Sequence, residues 1–180
     1  RVITVTSGKG GVGKTSLVLN LGLALRRIGF RVAIIDADLG LANIDVMLNQ
    51  APRYHLQDLI NGNKTLLEIM IEGPLGLKII PGGSGLYDLA NLDGTRRGIL
   101  LEQLMDLEQE SDFVLIDTAA GLSRNVVSFV GAADDLIIVT TPEPTALADA
   151  YGMIKVVAEQ KLVKHSFVVV NSTQSLQQGQ

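Results

Sequence analysis

Short apolar runs alternate along most of the chain with segments of helical periodicity. The runs are rich in Val, Ile and Leu, which is typical of parallel strands buried on both faces of a sheet. They predict strands at 2–6, 31–36, 77–80, 113–117, 135–141 and 166–171. Apolar residues spaced three and four apart predict helices at 16–27, 56–60, 66–71, 96–108, 123–132 and 143–160.

This alternation of strands and helices indicates a fold class. It predicts βαβ units, and therefore an α/β fold with a doubly wound, mostly parallel sheet that carries helices on both faces. The sequence shows no internal repeat and no linker, so we expect a single domain over residues 1–180. The tail at 172–180 is polar and rich in Gln, whereas such a sheet usually continues with another helix and strand. We therefore expect the C-terminal part of the domain to lie beyond residue 180.

The first predicted helix has an apolar stripe that should face the sheet. Residues three, four and seven positions apart lie on one side of a helix, and this spacing defines the stripe. Its members are Leu17, Leu21, Ala24, Leu25 and Ile28. We predict that these side chains are buried.

A glycine-rich loop joins the first strand to this helix and contains the pattern G-x-x-x-x-G-K-T. In a phosphate-binding loop (P-loop) of this kind, backbone N–H groups surround a phosphate chain. Lys14 is expected to reach the β- and γ-phosphates, and the Thr15 hydroxyl to hold Mg²⁺. The predicted nucleotide-binding residues of the loop are Gly8, Lys9, Gly10, Gly11, Val12, Gly13, Lys14, Thr15 and Ser16.

The second lysine of the loop, Lys9, is not required for phosphate binding. It follows the first glycine, and its side chain should leave the loop on the side away from Lys14. A cation beside a phosphate site that it cannot reach in its own chain suggests action in trans, as an arginine finger acts. The position by itself fits a solvated lysine equally well.

Aspartates stand at the carboxyl ends of two predicted strands, where open α/β sheets bind ligands. Asp117 follows four apolar residues, as in a Walker B segment, and is expected to hold Mg²⁺ directly or through water. Asp36 and Asp38 end the second strand, so that one can serve the Mg²⁺ shell while the other polarises the attacking water. The alternative role for each aspartate is a helix cap or a turn.

Two further polar residues belong to the last part of the chain. Asn171 ends the last predicted strand, where its amide can read the adenine edge by donor and acceptor together; a turn-forming role is the alternative. Glu143 opens the helix at 143–160 and can face a ribose or a partner, although an acidic residue there also interacts favourably with the helix dipole.

Composition and charge exclude several classes of protein. Hydrophobic residues are 47% of the chain, yet no apolar run approaches the length of a membrane span. The net charge of −4 disfavours a general nucleic-acid surface, so we expect DNA binding to be absent. There is no Cys, which excludes disulfides, thiol catalysis and Cys-ligated metals from this sequence. No signal peptide precedes the first strand, so we expect a cytoplasmic protein.

The loop and the aspartates together resemble the MinD/ParA family of ATPases. The segment 9–15 resembles their deviant Walker A motif, whose hallmark is the additional lysine at its start. The segment 36–45 resembles their first switch, and the segment 117–121 resembles their Walker B and second switch. The resemblance extends over residues 2–171.

A branch of that family shows the greatest resemblance. Four segments, at 36–45, 72–81, 126–130 and 142–145, resemble the flagellar-number regulators called FleN or FlhG. For this branch the resemblance implies restraint of flagellar number. The implied partners are an SRP-type GTPase (FlhF), C-ring components of the basal body or a flagellar transcription activator.

The resemblance also implies a mechanism. It implies an ATPase with the P-loop NTPase fold that dimerises on binding ATP, with Lys9 crossing to the partner's phosphates and Asp38 positioning the attacking water. It further implies reversible contact with the inner face of the cell membrane through a C-terminal helix that this sequence does not contain. The residue after Asn171 is Ser172, whereas many members of the family carry arginine at this position. The implied catalytic residues are Lys9, Lys14 and Asp38, the metal-binding residues are Thr15, Asp36 and Asp117, and the implied adenine contact is Asn171.

Other P-loop proteins share these motifs. A ParA-type ATPase that partitions chromosomes or plasmids needs a basic surface, which the acidic balance of the chain disfavours. A Min-type division-site ATPase is a further alternative. A metabolic or metal-transferring enzyme such as an iron–sulfur reductase is another alternative. This sequence has no cysteines, so such a cluster carrier would need cysteines beyond residue 180.

Overall fold

The computed structural model describes residues 1–38, 44–83, 102–103, 107 and 109–179. Its strands are β1 (Val2–Thr6), β2 (Val32–Ala37), β3 (Ile71–Glu72), β4 (Lys78–Ile80), β5 (Phe113–Thr118), β6 (Asp135–Thr140) and β7 (His165–Val170). Its helices are α1 (Lys14–Arg27), α2 (Ile44–Met47), α3 (Leu56–Ile60), α4 (Leu66–Ile69), α5 (Arg124–Gly131), α6 (Pro144–Glu159) and α7 (Leu176–Gly179). The predicted helix at 96–108 lies mostly outside the described residues.

Within the described part of the chain, the seven strands form one sheet in the order β3-β4-β2-β5-β1-β6-β7. Every neighbouring pair is parallel except β3 and β4. The strand β1 lies between β5 and β6, so the glycine-rich loop at its carboxyl end is flanked by the segments that follow those two strands. The predicted α/β class with a mostly parallel sheet is confirmed.

Apolar side chains cover both faces of the sheet. On β2, Ala33 and Ile35 belong to a buried cluster with side chains of α3 and α4. Their neighbour Ile34 belongs to a second cluster that contains Val18 of α1. Alternate residues of a strand point to opposite faces, so this division shows that the sheet is packed by helices on both sides.

The buried face of α1 agrees with the predicted one only in part: Leu17, Leu21 and Leu25 are partly buried and pack against the core, as predicted. Ala24 and Ile28 are exposed, and 72% of the surface of Ile28 is accessible. The fully buried residues of this helix are instead Lys14, Val18, Leu19 and Gly22. A Cβ atom at Gly22 would come within 3.0 Å of the Ile34 side chain. The glycine therefore lets the helix lie close to the sheet at a position that hydrophobic periodicity alone does not select.

The edge of the sheet also differs from the prediction. The predicted helix at 66–71 ends at Ile69, and Ile71 pairs with Ile79 in the short antiparallel strand β3. The helix begins with a capping box between Thr65 and Glu68, and the backbone of Met70 is already extended. In the polar tail, residues 176–179 form the short helix α7. Among the described residues, none of the helices combines the length and apolar character that crossing a bilayer requires.

Candidate functional site

The glycine-rich loop begins in a buried position and is fixed there by hydrogen bonds. The Ser7 hydroxyl donates to the carbonyl of Lys9 over 2.7 Å. The backbone N–H of Gly121, in the segment after β5, donates to the Ser7 carbonyl over 2.8 Å. The start of the loop is therefore joined to the segment that the sequence identified as Walker B and second switch.

The end of the loop is the N-terminus of α1. Gly13 has a φ of +94°, and its carbonyl accepts the first helical hydrogen bond from Leu17. The next two residues, Lys14 and Thr15, open the helix, and Lys14 is 7% exposed. Unsatisfied N–H groups and the helix dipole make this end of a helix favourable for an anion. No acidic side chain lies in its first turn to compete.

A cavity of about 550 Å³ lies over this helix end. Its walls come from three parts of the chain: the glycine-rich loop, the end of β2 together with α2, and the segment after β5. The lining residues are Gly10, Gly11, Gly13, Lys14, Thr15, Ser16, Asp38, Val46, Met47, Ala119 and Ala120. The cavity thus brings six of the nine predicted residues of the loop together with Asp38, while Gly8, Lys9 and Val12 do not line it.

Asp117 is a buried carboxylate at the carboxyl end of β5. It is 1% exposed, and neither of its oxygens makes a hydrogen bond within the described part of the chain. Burial raises the pKa of its carboxyl group to about 6, and this rise is opposed by the nearby Thr15 hydroxyl and Lys14 ammonium group. A buried carboxylate with only these two groups to offset its burial is costly, and a bound cation would remove that cost.

Asp36 lies opposite Asp117 in the register of β2 and β5, but its surroundings differ. One carboxylate oxygen accepts the N–H of Asp38, and the other accepts the N–H of Ile44, each over 3.2 Å. Asp36 therefore holds the backbone on either side of the segment that follows β2. This is the turn-forming role that the sequence left as the alternative, and it places Asp38 beside the cavity.

The residues beside the loop fit Mg²⁺. This cation prefers oxygen ligands and is usually held by one or two protein groups together with substrate phosphates and water. The unpartnered oxygens of Asp117 and the hydroxyl of Thr15 supply such groups at the base of the helix. When bound, the ion would neutralise charge on the phosphates.

Lys9 turns away from the cavity. Its ammonium group donates to the Glu143 carboxylate over 2.7 Å and to the Thr145 hydroxyl over 3.2 Å, at the start of α6. The side chains of Lys9 and Glu143 are 41% and 63% exposed. The direction of Lys9 away from Lys14 stays a prediction, and its contacts with Glu143 and Thr145 were not predicted.

Asn171 contacts the loop itself. Its side-chain amide donates to the carbonyl of Val12 over 2.9 Å, and a Cβ atom at Gly13 would overlap the amide nitrogen. The adenine contact proposed for Asn171 and the ribose contact proposed for Glu143 remain predictions. In the structure, both side chains bind residues of the glycine-rich loop.

Several residues of the site escaped sequence reasoning. Val46 and Met47 line the cavity but have side chains without distinctive chemistry. Thr145 follows a Pro-Glu-Pro sequence, and its position near the start of a helix was the available signal. No sequence signal indicated the close approach of Gly8 to α6. Only the fold shows that a Cβ atom at Gly8 would overlap the backbone of Asp149.

Comparisons with known proteins agree with this geometry. The family model described as an AAA domain matches residues 1–170. The chain is 41% identical over 179 residues to the antiactivator FleN of Pseudomonas aeruginosa, covering 99% of this chain and 64% of that protein. It is 36% identical over 182 residues to the flagellum site-determining protein YlxH of Helicobacter pylori, covering 99% of this chain and 60% of that protein. The chain thus spans about three fifths of the length of these two relatives.

A solved structure extends the comparison to three dimensions. The septum site-determining protein MinD from Pyrococcus horikoshii, solved as a complex with Mg-ADP, superposes with a TM-score of 0.82. The two chains are 28% identical, and the match covers 98% of this chain and 72% of that one. Sequence, fold and site agree: this chain belongs to the AAA domain family matched here, as a P-loop ATPase of the MinD/ParA type that resembles the FleN flagellar regulators.

Proposed function

We propose that this protein is an ATP-dependent switch that dimerises when it binds Mg-ATP and hydrolyses ATP slowly as a timer. The observation that carries the proposal is the contrast between two lysines of one loop. Lys14 is buried beside the cavity, whereas Lys9 reaches out of the cavity to α6. A lysine that leaves its own phosphate site is available to a second copy of the chain.

Each residue of the site has a role in this proposal. Lys14 and the glycine-rich loop bind the phosphates, and Thr15 and Asp117 hold Mg²⁺. Asp36 supports the metal site through the turn that it holds, and Asp38 polarises the attacking water from the wall of the cavity. Lys9 stabilises the transferred phosphoryl group of the partner.

The biological role that we propose is control of flagellar number or placement. Two curated relatives support it, since one is named as an antiactivator FleN and the other as a flagellum site-determining protein. The partners we propose are an SRP-type GTPase, C-ring components or a flagellar transcription activator. We also propose a reversible contact with the cytoplasmic face of the membrane.

Substitution of Lys9 tests the dimer. We expect Lys9→Ala to bind ATP normally but to remain monomeric with ATP, and to lose about 10³-fold or more in turnover, because a trans-acting cation is worth that much. Light scattering after size exclusion, together with phosphate release, measures both effects. Lys164→Ala removes a lysine outside the site and should change neither. A monomeric Lys9→Ala protein with wild-type turnover would show that the lysine does not act in trans.

Substitution of Asp38 tests the hydrolytic step. Asp38→Ala should bind ATP and accumulate as the ATP-bound dimer, because the nucleotide is no longer hydrolysed. A variant that stays monomeric at saturating ATP would contradict the role assigned to Asp38.

A Min-type division-site role is the second candidate, because 40% identity over 158 residues relates the chain to a MinD described as a septum site-determining protein. The two roles differ in what the ATP-bound protein retains. Retention of flagellar components with ATP but not with ADP supports the flagellar role. Retention of division proteins supports the Min-type role, and salt-sensitive retention of DNA would support the partitioning role instead.

A further inference from the structure

The turn that follows β4 lies directly against the end of β2. The two strands pair in parallel as far as Ile35 and Ile80, and Gly82 then lies beside Asp36. A Cβ atom at Gly82 would approach the Asp36 carbonyl oxygen to 2.5 Å and the carboxylate carbon of the same residue to 3.4 Å. Gly82 does not have a positive φ. Lack of space, and not the backbone conformation, therefore requires glycine at this position.

The start of α3 holds the same turn in place. The backbone N–H of Leu56 donates to the Pro81 carbonyl over 2.8 Å. Gly83 has a φ of +82°, and a Cβ atom there would come within 2.8 Å of the His55 side chain. All three residues of the turn, 81–83, are buried. A close-packed turn between a helix and a strand has little room to move, so an added side chain at Gly82 would displace Asp36.

Asp36 would pass such a displacement on to the wall of the cavity. Its buried carboxylate accepts the N–H of Asp38 and the N–H of Ile44, each over 3.2 Å. These distances are at the long end of the range for N–H···O bonds, so a small shift of the carboxylate would break them. Asp38 lines the cavity, and Asp36 is in register with Asp117 of the neighbouring strand β5. The position of Asp36 therefore affects both of these acidic groups.

We propose that Gly82 is a positioning residue for the magnesium site. Because Gly82 has no side chain, Asp36 can lie where its carboxylate holds the backbone of Asp38 and of Ile44. Gly82 does not line the cavity, so it acts through Asp36 and not by contact with the nucleotide. The inference rests on the proposed binding of Mg-ATP beside the glycine-rich loop. Residues that hold a metal site from behind typically affect metal affinity without contacting the ion.

One added methyl group tests this role in the full-length protein. Gly82→Ala places the methyl group against Asp36. The matched control is Gly152→Ala, which adds the same group on α6, where a Cβ atom would meet nothing within 4 Å. Circular dichroism and urea unfolding establish that both variants fold.

The first measurement needs no ligand. Amide hydrogen exchange, followed by NMR on the nucleotide-free protein with a metal chelator, reports the hydrogen bond between Ile44 and Asp36. We expect the Ile44 amide of Gly82→Ala to exchange about tenfold faster than in wild type, because its bond to Asp36 opens more easily. The amide of Ile34, in the buried middle of β2, should change much less. Gly152→Ala should match wild type at both amides.

The second measurement is the affinity for ADP with Mg²⁺ and with a chelator. We expect Gly82→Ala to bind ADP about tenfold more weakly with Mg²⁺, which is the size of effect that groups behind a metal ligand have. With the chelator, its affinity should stay within about twofold of wild type, because Gly82 serves only the metal-dependent part of binding. The control should match wild type in both titrations.

The outcomes separate a positioning role from a general loss of stability. If the Ile44 amide of Gly82→Ala exchanged no faster than in wild type, or accelerated no more than the Ile34 amide, the positioning role would be overturned. Equal losses of ADP affinity with and without Mg²⁺ would overturn the link to the magnesium site. A wild-type protein that does not bind ADP with Mg²⁺ would instead overturn the proposed function, while the exchange measurement would still decide the role of Gly82.

A second background keeps the test decisive if Gly82→Ala does not fold. Asp117→Asn removes a buried charge and should stabilise the nucleotide-free protein. The Ile44 amide is then compared between Asp117→Asn and the double variant that also carries Gly82→Ala. Faster exchange in the double variant supports the positioning role, and equal exchange overturns it.

Discussion

The two sides of the phosphate loop are held in opposite ways. On the inner side, Asp117 is a buried carboxylate, and the Thr15 hydroxyl and the Lys14 ammonium group offset its burial only in part. On the outer side, Lys9 is exposed and already paired with Glu143. An unpartnered buried charge costs stability and creates an affinity for a cation, whereas an exposed ion pair is weak and easily exchanged. The inner side is thus arranged for tight binding, and the outer side for reversible contact.

The largest effect on this contrast is expected when the charge of Asp117 is removed. A pKa raised from 3.8 to about 6 corresponds to a cost of about 3 kcal/mol when the carboxylate is charged in both the folded and unfolded states. We expect Asp117→Asn to raise the free energy of unfolding of the nucleotide-free protein by about 1–3 kcal/mol at pH 8. Urea unfolding with a metal chelator present measures this difference.

The pH dependence gives the sign of the effect. Above about pH 7, wild type carries the full destabilisation that comes from burying the charged Asp117 carboxylate. Between about pH 6 and pH 4 the folded protein binds a proton at Asp117 before the unfolded chain does, so the cost decreases as the pH falls. The difference between Asp117→Asn and wild type should therefore vanish near pH 4. If the free energies of unfolding of Asp117→Asn and wild type differed by the same amount at pH 4.5 and pH 8, the burial of a charged Asp117 carboxylate would not be the cause of the difference.

The same substitution should weaken magnesium-dependent nucleotide binding. We expect Asp117→Asn to lose about 10- to 100-fold in affinity for ADP with Mg²⁺, because groups that hold or orient a metal have effects of this size. Titration of ADP with Mg²⁺ and with a chelator separates the metal-dependent part. Glu159→Gln, an exposed change on α6, is the control. Equal losses with and without Mg²⁺ would show that Asp117 does not serve the metal.

The smallest effect is expected on the outer side. Glu143→Gln removes the ion pair with Lys9, and an exposed pair contributes about 0–1 kcal/mol. We therefore expect the free energy of unfolding to change by less than about 1 kcal/mol at low salt, and by less at high salt. Urea unfolding at two salt concentrations tests this. A loss well above this limit would mean that the pair is a structural contact and not an exchangeable one.

Two neighbouring aspartates show where sequence reasoning stopped. Asp36 and Asp117 both follow buried apolar strands, and the sequence offered the same two roles to each. The fold places them in register, yet gives Asp36 two backbone donors and Asp117 none. The donors are the backbone N–H groups of Asp38 and Ile44, which lie two and eight positions after Asp36 in the sequence.

Helix α1 shows a second limit of the same kind. Its existence and the inward position of Leu17, Leu21 and Leu25 followed from its periodicity and from the loop before it, but the burial of Gly22 did not. Gly22 contributes no hydrophobicity, so a pattern search gives it no weight, although it is the residue that permits close packing on Ile34. Shape complementarity between helix and sheet decided the orientation of the helix.

The sequence by itself determined the alternation of strands and helices, the loop between β1 and α1, and the types of charged residue that end the strands. These features are local, because they depend on periodicity and on the chemistry of residues adjacent in the chain. Only the tertiary structure decided which polar and charged groups are paired. The contacts of Lys9 with Glu143, of Asn171 with Val12 and of Gly121 with Ser7 join segments more than a hundred residues apart. Burial and hydrogen-bond partners are properties of such meetings, and they differ between side chains that the sequence describes alike.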